Sequence, residues 1–545
     1  MTTSINGVAL PIKTSTFVAT NFLDSVQGVE HNMEFIFFNT QSVDFSKLTG
    51  FFDNTTLTSS GDTGGGSPAY VGFFFFVFDN ITVDYSNSTA AVRIDLATNP
   101  QQGGFAQGDT LTNVFCVIGS AFDDVIRGQD TIPGFNGFND PGENSLFGGA
   151  GNDILEGRGG PDLINGGSGS DTASYESSPA AVNVTVNDPV TGAFSASGGD
   201  ATGDRLISIE NLIGSSFNDI LTGSSNNNTL DGGLGDDTLD GKGGIDTALY
   251  ASHDSISLLA AEQDVISLGL NGADGSYTRS GLVGLPIIQF QTVEHDVLRD
   301  IEDVFGSNHN ETINGNEQDN FLAGRGGNDN LNGGAGNDIY SYIGSFGVAF
   351  GNDRIFDDSG TDAITVNSFS DILGAQHVGN DLILTLTGGT IQIIDHFAGH
   401  QVENVFDANN NFMVLATGLI GGNLPGIIAG GNGGETLDGR GGDDFLFGGN
   451  GSDRLIGGDG NDRLTGGNGQ DTFVFGPGFG HDVITDFTPA DRIEFDGGVF
   501  KDFEKVLAEA QQVGANTVIT LDPDNSITLL GVALHSLHAS NFAFG

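Results

Sequence analysis

The sequence predicts an all-β chain that coils, because short apolar strands alternate with tight glycine-rich turns. Residues 430–474 divide without an insertion into five nine-residue units: GGNGGETLD, GRGGDDFLF, GGNGSDRLI, GGDGNDRLT and GGNGQDTFV. Glycine at positions one, two and four permits positive φ and close backbone approach, so the first six residues form a turn. The last three residues can form a strand whose apolar eighth side chain faces a core.

An acidic residue occupies the sixth position of every unit in this stretch. These residues are Glu435, Asp444, Asp453, Asp462 and Asp471. A carboxylate that projects among inward-facing carbonyls forms an anionic cage of oxygen atoms, which suits Ca²⁺. A flexible glycine linker does not keep an acidic and an aliphatic residue in strict register over five units. The stretch is therefore predicted to bind calcium.

The units resemble the G-G-x-G-x-D-x-U-x repeat of RTX proteins, a calcium-binding family. The resemblance implies a parallel β-roll with two units per turn of the coil. Calcium would then lie between loops two repeats apart, such as those of Asp444 and Asp462, or of Asp453 and Asp471. Glu435 departs from the repeat and is expected to mark a weaker terminal site.

Three earlier stretches contain the same unit, which predicts four rolls in all. The first begins at Gly119, is interrupted at 133–144 and resumes at Gly148; the second spans 214–249 and the third 306–341. Early sixth positions hold Asn228 in the second roll and Glu311 and Asn320 in the third, and these early turns are expected to bind weakly or to act as caps. The predicted calcium-binding residues are Asp153, Asp162, Asp171, Asp219, Asp237, Asp246, Asp329, Asp338, Asp444, Asp453, Asp462 and Asp471, with Gly148, Gly151, Gly166, Gly448, Gly451, Gly457, Gly460, Gly466 and Gly469.

Small antiparallel β modules are predicted between the rolls. The predicted domains are an N-terminal β domain or cap at 1–90, a β segment plus the first roll at 91–175, and a β segment plus the second roll at 176–250. They continue with a β insert plus the third roll at 251–341, a hemolysin-type β domain at 342–420, the fourth roll at 430–474, and a C-terminal cap with an export signal at 475–545.

Two local patterns within these domains give separate predictions. Residues 501–513 form the one clear helical candidate, with Phe503, Val506, Leu507 and Ala510 on one face. The phenylalanine run at 73–78 predicts either buried sheet core or a self-association edge.

The charge of the chain limits its partners. The 545 residues include 71 acidic and 17 basic ones, a net charge of −54. Nucleic acids and anionic membranes would be repelled. Calcium bound only by the folded rolls would stabilise them by mass action. The single Cys116 permits no internal disulfide and is expected to serve packing.

The ends of the chain bear on its location. No N-terminal Sec signal peptide is apparent, and the most hydrophobic run is too short to span a bilayer. Residues 526–545 resemble the uncleaved signal of type I secretion, although Asn541 and Gly545 depart from it. The resemblance implies the type I secretion machinery as a partner and an extracellular or cell-surface location.

No catalytic residue and no cofactor besides Ca²⁺ is predicted. The motifs H-E-x-x-H, G-x-S-x-G and the P-loop do not occur. Histidine directly precedes aspartate at 253–254, 295–296 and 481–482, and these pairs are expected at the surface or at sheet edges.

The interpretation is a secreted, non-enzymatic calcium-binding component of a surface, matrix or adhesive structure, with a polysaccharide or cell-surface ligand and self-association as candidate interactions. The alternatives are an RTX-repeat enzyme that acts on extracellular polysaccharide and a self-assembling surface-layer subunit.

Overall fold

Short strands joined by turns make up most of the chain in this computed structural model. The structure describes residues 81–111, 114–130, 142–186, 194–250, 263–269, 274–283, 289–344, 349–400 and 402–545. The backbone of five earlier strands is also described: Ser4–Ile5, Val8–Ala9, Val29–Glu30, Met33–Phe35 and Phe76–Phe78.

Three sequence predictions lie mostly or wholly outside these residues. They concern the N-terminal β domain or cap, the insertion at 133–144 and the pair His253–Asp254. In the phenylalanine run, the backbone of Phe76–Phe78 pairs antiparallel with Met33–Phe35. Whether these side chains form a core or an edge lies outside the described residues.

The chain forms two compact units, one of residues 1–174 with 202–209 and the other of residues 175–201 with 210–545. In the first unit the chain passes back and forth between two parallel ladders. One ladder contains Ile81–Asp84, Val114–Ile118, Ser145–Ala150, Leu163–Ser168 and Arg205–Ile207. The other contains Arg93–Asp95, Val125–Arg127, Ile154–Glu156 and Thr172–Ser174. Alternation between two ladders is the coil that the nine-residue period predicts.

The second unit contains a long ladder that links successive rolls. Its parallel strands are Asn211–Ile213, Thr229–Asp231, Thr247–Leu249, Asp303–Phe305, Phe321–Ala323, Ile339–Ser341, Ala363–Val366 and Asn404–Asp407. It continues through Phe412–Leu415, Gly426–Ala429, Phe445–Phe447, Arg463–Thr465, His481–Ile484, Asn525–Leu529, Asn516–Asp522 and Ala510–Val513. Because Thr247–Leu249 pairs directly with Asp303–Phe305, the second and third rolls stack in one ladder.

Two further ladders complete this unit. The first contains, in spatial order, Ser195–Ser197, Asn183–Thr185, Ile220–Thr222, Thr238–Asp240, Gln289–Arg299, Gly275–Val283, Gln263–Ser267, Glu311–Asn314, Asn330–Asn332, Gly351–Phe356, Gly389–Ile393, Asp381–Leu386 and Ile372–Val378. The second contains Thr436–Asp438, Arg454–Ile456, Thr472–Phe475, Arg492–Phe495 and Phe542–Phe544. Gly388 lies in the turn of a hairpin, since Asp381–Leu386 pairs antiparallel with Gly389–Ile393.

The eighth position of the unit forms the core of each roll. Its side chains are fully buried in Leu155, Ile164, Leu230, Leu239, Leu322, Leu331, Leu437, Leu446, Leu455, Leu464 and Phe473. Because side chains alternate across a strand, the flanking residues point away from this core. The predicted fold class is confirmed: an all-β arrangement of parallel β-rolls and antiparallel modules, with one α-helix among the described residues.

That helix is shorter than the sequence pattern predicts. It spans Phe503–Glu509, and its N-cap Asp502 accepts a hydrogen bond from the backbone N–H of Lys505 at 2.9 Å. Residues 510–513 instead form a strand paired with 516–519. Val506 is buried but Leu507 is 41% exposed, so the placement of Leu507 on the apolar face was wrong.

Short 3₁₀ helices lie at Gly104–Ala106, Gly199–Ala201, Phe369–Asp371, His396–Ala398, Leu534–Ser536 and Ala539–Asn541. Within the described ranges, no helix has the length and apolar character needed to cross a membrane.

Candidate metal sites

The sixth-position carboxylates line up in rows along the rolls. Oδ1 of Asp462 accepts a hydrogen bond from the backbone N–H of Asp444 at 2.9 Å, and Oδ1 of Asp471 accepts one from Asp453 at 2.9 Å. The structure therefore brings together both pairs that the sequence predicted. The same link, at 2.7 to 2.9 Å, joins Asp153 to Asp171, Asp219 to Asp237, Asn228 to Asp246, Glu311 to Asp329 and Asn320 to Asp338.

The second carboxylate oxygen is the informative atom. Oδ2 is buried and has no hydrogen-bond partner in Asp153, Asp246, Asp338, Asp444, Asp453 and Asp462. Burial of a charged oxygen without a donor costs several kcal/mol in general. A repeated orphaned oxygen of this kind indicates a position for a cation.

The first glycine of each turn makes room for that oxygen. A Cβ at Gly457 would lie 2.1 Å from Oδ2 of Asp462, and a Cβ at Gly148 would lie 2.2 Å from Oδ2 of Asp153. Gly166, Gly448 and Gly466 stand in the same relation to Asp171, Asp453 and Asp471. The carboxylate therefore packs directly against the backbone of the first glycine, where a side chain would block it.

Backbone carbonyls of the neighbouring coil border the same space. The Cβ position at Gly439 lies 2.4 Å from the carbonyl oxygen of Gly457, and that at Gly448 lies 2.6 Å from the carbonyl oxygen of Gly466. Carboxylate and carbonyl oxygens are the donor set that Ca²⁺ prefers. The donor atoms in these turns therefore fit calcium.

The predicted glycines at the fourth position have a different task. Gly151, Gly451, Gly460 and Gly469 adopt φ between 116° and 156°, a left-handed region that other residues disfavour. A Cβ at Gly451 would also lie 1.8 Å from the carbonyl oxygen of Gly433. These glycines allow successive turns to stack closely.

Burial changes the proton affinity of the carboxylates. It raises the pKa of Asp153, Asp246 and Asp338 to about 7. Burial, assisted by the charge of Asp462, raises the pKa of Asp444 to about 8. Desolvation and neighbouring like charges both disfavour the ionised form, and a bound cation would offset both.

In some early turns, hydrogen bonds from other protein groups already occupy the oxygen atoms of the sixth residue. Asp219 accepts hydrogen bonds from the backbone N–H groups of Val182 at 2.6 Å and Ser215 at 2.5 Å, one on each oxygen. Asn228 and Asn320 accept from the second residue of their own turns and donate to backbone carbonyls. Such turns have the geometry of caps, which was the expectation for the asparagine turns. Asp219 differs from its prediction as a calcium ligand, because backbone N–H groups already occupy both of its oxygens.

Sequence reasoning missed several members of the rows. Asp296, Asp353, Asp362, Asp482 and Asp491 are buried and accept the same hydrogen bond, at 2.8 to 3.0 Å, from Asp237, Asp329, Asp338, Asp462 and Asp471 respectively. Their turns lack most of the glycines but retain an acidic residue two positions before an apolar one. That short D-x-apolar pattern was the available signal.

Two of these aspartates overturn an expectation. Asp296 and Asp482 belong to histidine–aspartate pairs that were predicted at the surface or at sheet edges, yet both aspartates are buried. His481 is exposed because neighbours on a strand face opposite sides. The prediction was therefore wrong for these two aspartates.

One cluster combines three carboxylates. Oxygen atoms of Asp338, Asp357 and Asp362 lie within 4.8 Å of one another, and all three residues are buried. The hydroxyl of Tyr340 donates to Oδ2 of Asp357 at 2.5 Å, while Oδ1 of Asp357 is buried and has no hydrogen-bond partner. Asp357 takes the place of the first glycine in the degenerate unit DDSGTDAIT. This cluster is a candidate calcium site with an additional carboxylate.

The one cysteine has no role in these sites. Cys116 lies half-buried in the strand Val114–Ile118 as a free thiol, and burial raises its pKa. A raised pKa lowers thiolate reactivity, as expected for a packing residue.

Comparison with protein families identifies the repeats. The family described as RTX calcium-binding nonapeptide repeat (4 copies) matches residues 138–173, 213–248, 305–340, 429–464 and 447–484. The chain therefore contains RTX calcium-binding nonapeptide repeats, and RTX repeats in general bind calcium. No curated protein matches the chain.

Solved structures with similar regions include a lipase and a subunit of an epimerase. The extracellular lipase LipA from Serratia marcescens is 22% identical over 45% of this chain and 40% of the lipase, with a TM-score of 0.17. The AlgE6R3 subunit of the Azotobacter vinelandii mannuronan C5-epimerase is 34% identical over 23% of this chain and 80% of the subunit, with a TM-score of 0.19. The chain thus spans less than half of the lipase's length.

Proposed function

We propose that the protein is a secreted calcium-binding structural component whose rolls fold when Ca²⁺ fills them outside the cell. The observation that carries the proposal is the row of buried carboxylate oxygens without a hydrogen-bond partner, repeated one coil apart. The proposed ligands are the predicted aspartates other than Asp219, together with carbonyl oxygens of the glycine turns. Asp296, Asp353, Asp362 and Asp482 extend the set.

The balance of charges supports calcium-dependent folding. A chain with a net charge of −54 that brings carboxylates together in rows opposes its own compaction. Each site that binds only the folded state adds about 2.7 kcal/mol when free calcium is roughly 100 times its Kd. Extracellular calcium modules have Kd values of about 10⁻⁴ to 10⁻³ M. Several such sites would decide whether the rolls are folded.

Export by a type I machinery is part of the proposal. The segment that resembles the secretion signal is integrated into the fold, since Phe542–Phe544 pairs with 493–495 and Phe542 is buried. An exporter that reads this segment would need the unfolded chain. Scarce calcium before export and abundant calcium afterwards would meet that need.

The proposed location is extracellular or at the cell surface, in a surface, matrix or adhesive structure with a non-enzymatic role. The repeated turns of the described rolls, each with a carboxylate that can bind calcium, support this role. Any polysaccharide or cell-surface ligand would then bind outside the calcium rows.

The folding step can be tested by circular dichroism of the full chain. Chelator should abolish the β-sheet signal, and added Ca²⁺ should restore it, whereas Mg²⁺ at the same concentration should not. Identical spectra in chelator and in calcium would contradict the proposal.

A further inference from the structure

The opening turns of the first, second and third rolls, which we call serine turns, share one design. They are residues 119–124, 214–219 and 306–311, with the sequences GSAFDD, GSSFND and GSNHNE. In the first two, the backbone N–H of the serine donates to Oδ2 of the sixth-position aspartate, Asp124 or Asp219. The fourth residue in each is a phenylalanine, 43% exposed.

The strand beside each serine turn contributes a facing residue. Val92 faces Asp124 and donates its backbone N–H to Oδ1 at 2.7 Å, and Val182 does the same to Asp219 at 2.6 Å. Both valines are buried. The first two copies thus combine a buried valine, an exposed phenylalanine and a satisfied aspartate.

The third copy differs at all three positions. Asp264 is in register with Glu311 on the neighbouring parallel strand, where the other copies have valine facing aspartate. His309 takes the place of the phenylalanine, and Glu311 takes the place of the aspartate. One ligand atom from each of the three residues lies within 4.8 Å of the other two.

The surroundings hold these groups in place. Asp264 and Glu311 are each 2% exposed, and Oε2 of Glu311 is buried without a hydrogen-bond partner. The hydroxyl of Ser307 lies 3.1 Å from Nδ1 of His309 and donates to Oε1 of Glu311. One serine therefore orients both the imidazole and the carboxylate. His309 is partly exposed, which gives an ion access from solvent.

The donor chemistry differs from that of the calcium turns. Calcium takes oxygen ligands, whereas an imidazole nitrogen beside two carboxylates suits Zn²⁺ and related transition cations. Where the first two copies have Val, Phe and Asp, the third has Asp, His and Glu. All three residues of the third copy can therefore supply a metal ligand. We infer that Asp264, His309 and Glu311 bind a divalent transition cation of the zinc class.

The sibling turns supply variants that suit the fold. His309→Phe and Asp264→Val restore residues that the other serine turns carry at the same places. Ser307 would orient His309 and Glu311, and loss of such a supporting group typically costs 10- to 100-fold in metal affinity. Removal of a direct ligand should cost at least that much.

The test uses the full chain saturated with Ca²⁺ and titrated with Co²⁺, followed by visible absorption, and with Zn²⁺ by calorimetry. We expect one more equivalent bound by the natural protein than by His309→Phe or Asp264→Val, at least tenfold tighter than any residual binding. The control His535→Phe, which removes an exposed histidine elsewhere, should bind like the natural protein. Calcium titrations of all four proteins should coincide, which separates this site from the calcium rows.

Equal Co²⁺ binding by the natural protein and His309→Phe would overturn the inference. Displacement of the Co²⁺ by excess Ca²⁺ with loss of the absorption bands would also overturn it, because the cluster would then be another calcium site.

Discussion

The backbone N–H of Asp444 donates to Oδ1 of Asp462 across one turn of the coil, at 2.9 Å. The other oxygen of Asp462 is buried without a hydrogen-bond partner. One carboxylate therefore does two things: it holds the preceding turn in place and presents a ligand to a cation.

Removal of this carboxylate should affect calcium binding more than removal of a capping amide. Asp462→Ala is expected to lose one calcium site, about 2.7 kcal/mol of stabilisation at roughly 100 times Kd. Asn228→Ala should leave the calcium stoichiometry unchanged, because Asn228 is satisfied by protein groups. Calorimetric titration of both variants measures the difference. Equal stoichiometries would refute the site assignment.

A methyl group at the first position of a turn should disturb the same site. Gly457→Ala places a Cβ 2.1 Å from Oδ2 of Asp462. Such overpacking generally costs about 1 to 3 kcal/mol, and here it would also displace a ligand. Gly476→Ala is the matched control, since nothing lies within 4 Å of its Cβ position. Thermal unfolding in calcium should separate the two variants, and equal Tm values would contradict the proposed role of Gly457.

The stability of the metal-free protein should fall as pH rises. Burial raises the pKa of Asp462 to about 6, of Asp444 to about 8 and of Asp482 to about 9. Because these values lie above the unfolded value near 3.9, the folded state binds protons more tightly than the unfolded state. Stability is then greatest below about pH 4, the unfolded pKa, and decreases as pH rises through the raised pKa values to about pH 9.

Calcium should reverse this dependence, since it binds the ionised carboxylates. Calcium affinity is expected to decrease as pH falls through the same range. The β-sheet signal in circular dichroism, measured at several pH values with chelator or with saturating calcium, checks both signs, because the metal-free rolls should regain β-sheet signal as pH falls. A metal-free protein that gains stability from pH 6 to 9 would contradict the assignment.

The side-chain amide of Asn541 should be required for full stability of the folded protein. Its Nδ2 donates to the backbone carbonyls of Pro489 and Asp491, each at 3.1 Å, and the side chain is buried. Asn541→Asp removes both donors and leaves carbonyls unsatisfied, a loss of about 1 to 3 kcal/mol. The exposed Asn423 provides the control Asn423→Asp. Chemical denaturation in calcium should show destabilisation of the first variant alone.

This hydrogen bonding accounts for the amide at position 541, since an ionised carboxylate has no hydrogen to donate. The structure uses the amide to join residues 539–541 to the turn at 489–491.

The regular turns could be predicted from sequence because their determinants are local. Gly457 and Asp462 lie within one turn, and Leu464 follows on the next strand, so a nine-residue window contains the whole pattern. The rows beyond the regular repeats depend on pairing between distant strands. Asp296 joins Asp237 across 59 residues and Asp353 joins Asp329 across 24, so no fixed spacing reveals them.

The end of the helix escaped prediction for a similar reason. The apolar spacing through Ala510 continues a helical pattern, but residues 510–513 gain backbone hydrogen bonds from the strand at 516–519. Tertiary pairing therefore outweighed local propensity.

The row that runs from Gly426 through Asp444 and Asp462 to Asp482 makes each turn a nearest neighbour of the next. Ion loading along such a row follows a one-dimensional lattice, in which an occupied turn orders the turn beside it. The binding isotherm should therefore be steeper than for independent sites. The amides of Asn228 and Asn320 already donate to backbone carbonyls, so these turns would not bind an ion. They would therefore interrupt the cooperativity of calcium binding and divide it into separate blocks.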